Sequence, residues 1–222
     1  MNHIINLSLN SKRFKKNNLT MLKSFNLEVD YGESISITGS SGVGKTTLLN
    51  IIGLVDSDFD GNYNLFGHNI NGLSSKEKAL LRNQKLGFIL QESALINSLS
   101  IEKNIKLPYL YAKSNDVQNL IDHYNYVIEK VGIQGILKKK PLECSGGQRA
   151  RASLARGLIM KPDLILADEP TSSLDEDTKA RIVDLLFEMN REFRSTLITV
   201  THELDLAHRH DRMITIVKDC SN

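Results

Sequence analysis

The chain has 222 residues, of which 41% are hydrophobic and 24% charged, which is enough for one substantial core with a small subdomain and excludes a disordered tail, a collagen or a disulfide scaffold. With 28 Lys and Arg against 26 Asp and Glu the formal net charge is only +2. There is no broad cationic field, so a polyanionic ligand has to be held by a local site and nucleic acid is not an expected partner. Two cysteines, Cys144 and Cys220, are too few for a staple framework; they read as small hydrophobes of a reducing compartment, with no disulfide expected. The first residues, Met1 to Leu7, lack the cationic and apolar regions of a secretory leader. Apolar runs such as Leu164 to Ala167 fall far short of the roughly 20 residues that cross a bilayer. These features predict a cytoplasmic protein that meets a membrane only through another chain.

Alternation over Ile4 to Leu9 and again over Phe25 to Val29 predicts two half-buried antiparallel strands. After a turn at Tyr31-Gly32-Glu33, Ser34 to Thr38 reads as a third strand that runs straight into a glycine-rich loop, Gly39 to Gly44. Lys45 to Gly53 then has helical apolar spacing with a glycine stop. Beyond a turn at Asp60-Gly61-Asn62, short strands around Tyr63 to Phe66 and Leu86 to Leu90 bracket a polar helix, Ser74 to Asn83. From about Asn104 to Val131 the pattern is helical and amphipathic, broken at Pro108 and at residues 113–116. It reads as an inserted helical subdomain. Ser145-Gly146-Gly147 opens a long helix, Gln148 to Met160, which Lys161-Pro162 ends. The nearly all-apolar Asp163 to Ala167 has the character of a strand buried on both faces in a parallel sheet. The chain closes with helix Glu176 to Phe193, strand Ser195 to Val200, short helix Leu204 to Arg209 and strand Met213 to Lys218. Strands alternating with helices predict an α/β fold.

The run Gly39-Ser40-Ser41-Gly42-Val43-Gly44-Lys45-Thr46, with Thr47 next, fits the phosphate-loop pattern of Gly, four residues, Gly-Lys and then Ser or Thr. Its glycines let backbone N–H groups turn inward around phosphate oxygens, and the following helix adds its positive end. Lys45 reaches the β- and γ-phosphates and Thr46 meets Mg²⁺. An ordinary strand-to-helix turn is the competing reading, and the strand before and helix after argue against it. The apolar strand at 163–167 ends in Asp168-Glu169, an acidic pair at the carboxyl edge of a sheet, where ligands of such folds bind. Asp168 would hold Mg²⁺ and Glu169 would polarise an attacking water. The alternative is the acidic start of a surface loop.

Cys144-Ser145-Gly146-Gly147-Gln148 lies between the phosphate loop and Asp168-Glu169 and resembles the signature motif of the ABC transporter ATPases. Gln91 matches their glutamine loop, Ser173-Leu174-Asp175 their D-loop, and His202 their switch histidine. These motifs stand in family order over about 6–217. The resemblance implies a P-loop NTPase core with a mostly parallel sheet, an N-terminal antiparallel β subdomain and an inserted α-helical subdomain. One domain over 1–222 is expected, its core about 1–91 and 160–222 and its helical subdomain about 92–159. It implies ATP and Mg²⁺ as cofactors and a head-to-tail dimer, in which Ser145, Gly146, Gly147 and Gln148 face the γ-phosphate held by a second ATPase subunit, with Asp175 also at the nucleotide. The competing reading of Ser145 is a cap for the following helix and nothing more. Gln91 would contact Mg²⁺ and the attacking water, and His202 the γ-phosphate and Glu169; His3, His68, His123, His208 and His210 read as surface or satisfied residues. Phe14 stands where the family usually has an adenine-stacking tyrosine, or is a strand-edge core residue; the cations around it are either an electrostatic lure or a solvated hairpin.

Cys144 replaces the usual signature leucine and is expected to pack beneath the helix; Ala150 stands where glutamine is common. The stretch Leu81 to Gln91 and Leu107-Pro108 look like the branch that contains lipoprotein-release ATPases, the macrolide exporter MacB and antimicrobial peptide exporters. That likeness implies an ATP-hydrolysing subunit that drives export through a separate transmembrane permease. It would sit on the inner face of the cell membrane. The alternative is a mechanotransmission ATPase of the cell-division type that regulates cell-wall hydrolases.

Overall fold

The computed structural model describes residues 3–13, 20–90, 94–112, 117–172 and 174–217. In chain order these form β1 (His3–Arg13), β2 (Thr20–Asp30), β3 (Ser34–Gly39), α1 (Lys45–Ile52), β4 (Asp60–Leu65), β5 (His68–Asn69), α2 (Ser75–Lys85), β6 (Leu86–Leu90), α3 (Ile101–Lys106), α4 (Val117–Val131), α5 (Gly146–Leu158), β7 (Leu164–Asp168), α6 (Glu176–Phe193), β8 (Thr196–Val200), α7 (Leu204–Ala207) and β9 (Arg212–Ile216). Two compact units divide the chain, one of Met1–Arg82 with Thr196–Asn222, the other of Asn83–Ser195.

In the first unit an antiparallel sheet runs in the order β2-β1-β4-β5. Its register sets Leu7 opposite Leu27 on one side and Tyr63 on the other. The period of two therefore collects Ile5, Leu7, Leu9, Leu27, Val29, Tyr63 and Leu65 on a buried face. The polar residues between them pair across the other face, where the Ser8 hydroxyl donates to Asn26 Oδ1 at 2.8 Å. β4 extends back through the expected turn at residues 60–62, because the ladder with β1 continues from Leu65 opposite Ile5 to Asp60 opposite Ser11. Lys12 is buried, not part of a solvated hairpin: its Nζ lies 2.8 Å from Asp56 Oδ2.

The same unit holds β3 between β8 and β9, all parallel, with Ile37 opposite Val200 and Ile214. β8 is buried along its whole length, and β3 from Ser34 to Thr38, so both carry apolar or hydroxyl side chains on either face. α1 buries Leu48, Leu49, Ile51 and Ile52 and stops at Gly53, where the spacing placed its end.

In the second unit β6 and β7 pair in parallel, Leu86 opposite Leu164 and Leu90 opposite Asp168. α4 buries Tyr124, Val127, Ile128 and Val131, the spacing of one helical face. The expected break at Pro108 is a short 3₁₀ helix, Leu107–Tyr111, with the proline in its first turn, where its missing N–H costs nothing. Asn104, fully buried on α3, organises the preceding loop: its amide donates to the carbonyls of Ile96 and Ser100 and its Oδ1 accepts from Ile96 N. α5 begins at Gly146, two residues before the expected Gln148, because Ser145 serves as its N-cap. Among the described residues no helix is long and apolar enough to cross a membrane.

Candidate functional site

The phosphate loop is laid down by β3. Gly39, Gly42 and Gly44 have φ of 148°, 75° and 107°, left-handed conformations that a Cβ would strain. At Gly39 a Cβ would also lie 2.5 Å from the carbonyl oxygen of Ile216, so β9 passes too close for any other residue. Val43 is buried and anchors the loop from below, while Ser40, Ser41, Gly42 and Thr46 are exposed. The Lys45 ammonium donates to the carbonyls of Gly39 at 2.8 Å and Ser40 at 3.1 Å, which keeps it over the loop. α1 has no side-chain cap and no acidic residue in its first turn, so its positive end is presented without a competing carboxylate. These features fit a bound phosphate.

His202 is exposed just beyond β8. The backbone on its N-terminal side is fixed to β3, since Thr201 N donates to Ile37 O at 3.1 Å. Glu203 N in turn donates to Thr201 Oγ1 at 3.0 Å.

In the second unit Asp168 closes β7 and is 9% exposed. Glu169 follows at φ 44°, a left-handed backbone that is rare for a residue with a Cβ and that costs of order 1–3 kcal/mol wherever it is retained. Glu169 O accepts from Ser172 N at 3.3 Å and from Ser172 Oγ at 3.2 Å, which closes the turn. Leu54, Phe66, Lys161 and Arg194 share that backbone conformation; what distinguishes Glu169 is its place directly after a strand buried along its whole length. Among the described residues no group of three or more His, Cys, Asp or Glu could hold a metal. The Asp168 carboxylate at the end of β7 offers hard oxygens of the kind Mg²⁺ takes from a protein, with phosphate and water supplying most of its ligands.

Ser145, Gly146, Gly147 and Gln148 form the N-terminus of α5. Ser145 Oγ accepts from Gln148 N at 3.2 Å and Gln148 Oε1 accepts from Ser145 N at 3.0 Å, a reciprocal capping box. The capping expectation for Ser145 thus holds in the isolated chain. Cys144 is buried and its thiol donates to Lys140 O at 3.4 Å; burial pushes that thiol up. Asp175 caps α6 by accepting from Thr178 N at 3.0 Å, and that bond holds its carboxyl below the usual range. The two helix starts touch: a Cβ on Gly147 would lie 2.6 Å from Thr178 Cγ2. Arg156, on the last turn of α5, donates to Ala94 O at 2.8 Å, which joins the signature helix to the segment after Gln91.

Phe14, Gln91, Ser173 and Cys220 lie outside the described residues. Of the other histidines, His68 and His208 are exposed, whereas His123 and His210 are buried. His123 Nε2 lies 3.1 Å from Leu158 O and its ring stands edge-on to Phe193 at 5.4 Å. The contacts of His210 and Thr178 were legible only in part: helical spacing sets His210 four residues after Leu206, and Thr178 three after a capping Asp.

The ABC transporter profile matches residues 22–172. The chain belongs to the ABC transporter family. It is 38% identical over 203 residues to a macrolide export ATP-binding/permease protein MacB of Rhodopirellula baltica, covering 91% of this chain and 30% of that protein. A second relative, the lipoprotein-releasing system ATP-binding protein LolD 1 of the same organism, is 38% identical over 199 residues, 90% of this chain and 86% of its own. The dimeric structure of MJ0796, a bacterial ABC transporter cassette, superposes with a TM-score of 0.85 at 32% identity, covering 96% of this chain and 94% of that one. The chain thus spans less than a third of the MacB relative and most of the LolD relative. As a member of the ABC transporter family it is an ATP-binding cassette of α/β fold, for which ATP and Mg²⁺ are the nucleotide and its metal.

Proposed function

We propose that the chain hydrolyses ATP to drive export through a separate transmembrane permease, working as a dimer of cassettes at the cytoplasmic face of the cell membrane. The observation that carries the ATP chemistry is the phosphate loop, three left-handed glycines leading into a helix that has no side-chain cap. The export reading is supported by likeness to the lipoprotein-releasing and macrolide export proteins. It treats 1–222 as one ATPase domain with a helical insertion at about 92–159.

In this reading the loop amides of residues 39–47 and the Lys45 ammonium bind the β- and γ-phosphates, and Phe14 stacks on adenine. Thr46, Asp168 and Gln91 would hold Mg²⁺, which would neutralise charge on the phosphates. Glu169 orients the attacking water and accepts its proton. His202 donates to the γ-phosphate. Ser145, the N–H groups of Gly146 and Gly147 and Gln148 bind the γ-phosphate on the second subunit, with Asp175 beside the same nucleotide.

The test is Glu169→Gln, tagged and recovered from membranes of its own host with ATP present. It should bind ATP, turn it over at least about 100-fold more slowly, and co-purify with a permease that carries few membrane helices. Wild-type turnover would remove Glu169 from its role. Recovery of soluble partners alone would overturn the export reading while leaving the ATPase chemistry standing.

A further inference from the structure

His202 stands between two anchors. Thr201, fully buried, ties the N-terminal side to Ile37 of β3. The other side is α7, four residues long and far too short to hold its own shape. Two side chains from outside grip its last carbonyls. Ser36 Oγ, on β3, donates to Ala207 O at 3.0 Å. His210, 8% exposed, places Nδ1 3.0 Å from Leu206 O and Nε2 2.9 Å from Thr199 Oγ1 on β8.

A carbonyl oxygen only accepts, so Nδ1 carries the proton, and the neutral ring leaves Nε2 to accept from the Thr199 hydroxyl. Both nitrogens are thereby used, one on α7 and one on β8. Ser36 and Ile37 belong to the strand that enters the phosphate loop at Gly39. The His202 segment is therefore registered to the loop that binds phosphate through β3 on one side and through His210 on the other. A residue that reads in the sequence as incidental completes that registration.

We propose that His210 is a positioning residue for ATP hydrolysis, fixing α7 to β8 so that His202 is held in register with the phosphate loop. This rests on the assignment of His202 to the γ-phosphate. The test is a double-variant cycle on ATP hydrolysis by the full chain. His210→Ala should lower kcat about tenfold, the scale of a misplaced reacting group, with KM for ATP changed less than about twofold. In a His202→Ala background the same substitution should change kcat by less than about twofold, because the residue it positions is gone. His210→Asn, whose amide N–H can replace Nδ1 toward Leu206, should recover most of the lost rate. If His210→Ala does not fold, Thr199→Val takes its place in the cycle, since it removes only the hydroxyl that meets Nε2. A kcat unchanged in His202→Ala would overturn the assignment of His202, and this proposal with it. An impaired His202→Ala beside a wild-type kcat for His210→Ala, or effects that multiply in the double variant, would overturn the role of His210 alone.

Discussion

Gly147→Ala sets two opposed effects against each other at the junction of the signature helix and the D-loop helix. Alanine in a helix is favoured over glycine by up to about 1 kcal/mol. Its Cβ, however, would lie 2.6 Å from Thr178 Cγ2, against 3.4–4 Å for ordinary contact. Either the starts of α5 and α6 part by roughly 1 Å or the Thr178 side chain leaves its rotamer, and overpacking of this kind costs about 1–3 kcal/mol. At the middle of that range the clash outweighs the propensity, for a net loss of about 1 kcal/mol. Urea unfolding should show it as a midpoint lowered by about 0.5 M for an m-value of about 1–3 kcal/mol/M. Thr178→Ser removes Cγ2, leaving Oγ1 and Cβ at 3.7 and 3.8 Å, and keeps the backbone N–H that Asp175 caps. In that background Gly147→Ala should be neutral or mildly stabilising. A Gly147→Ala protein more stable than wild type, or a loss that Thr178→Ser leaves untouched, would refute the contact as the cause.

Lys45→Ala should weaken ATP binding about 10- to 100-fold by calorimetry, the worth of a charged hydrogen-bond donor on phosphate; unchanged affinity would contradict the phosphate loop. Ser145→Ala removes the cap of α5 and should cost about 1 kcal/mol of unfolding free energy in urea titrations. Ser145→Arg should still bind ATP yet fail to dimerise by size exclusion, because the side chain fills the space assigned to the second subunit's γ-phosphate; normal ATP-dependent dimers would sink the composite site. Burial holds the His123 and His210 imidazoles below the ordinary value, because the charged ring loses its water. Unfolded imidazoles take up protons below about pH 6.5 and these two only at lower pH, so their contribution to stability should be level above that pH and fall as pH drops through it toward their folded values. A urea midpoint equal at about pH 7.5 and pH 5.5, either side of that ordinary value, would rule this out.

Much of the site was legible because its chemistry is local in the chain. The phosphate loop needs its glycines, lysine and threonine within one short run, Gly39 to Thr46, and Asp168-Glu169 follows an apolar run whose burial any strand reading predicts. The capping role of Ser145 was legible for the same reason, since its partner Gln148 is three residues away. The start of β4 was not legible: Asp60-Gly61-Asn62 has turn composition, and only pairing with β1 keeps it extended.

The sequence by itself determined the family, the α/β class and the order of the motifs, because each depends on residues close together along the chain. Tertiary structure alone decided that Lys12 is buried against Asp56, that Gly147 must stay small beneath Thr178, and that His210 bridges α7 and β8. His210 lies four residues from Leu206 but 11 from Thr199 on the neighbouring strand, and the other two pairs are farther apart still. No local pattern records such a meeting, since the fold brings those side chains together only by burying apolar surface elsewhere.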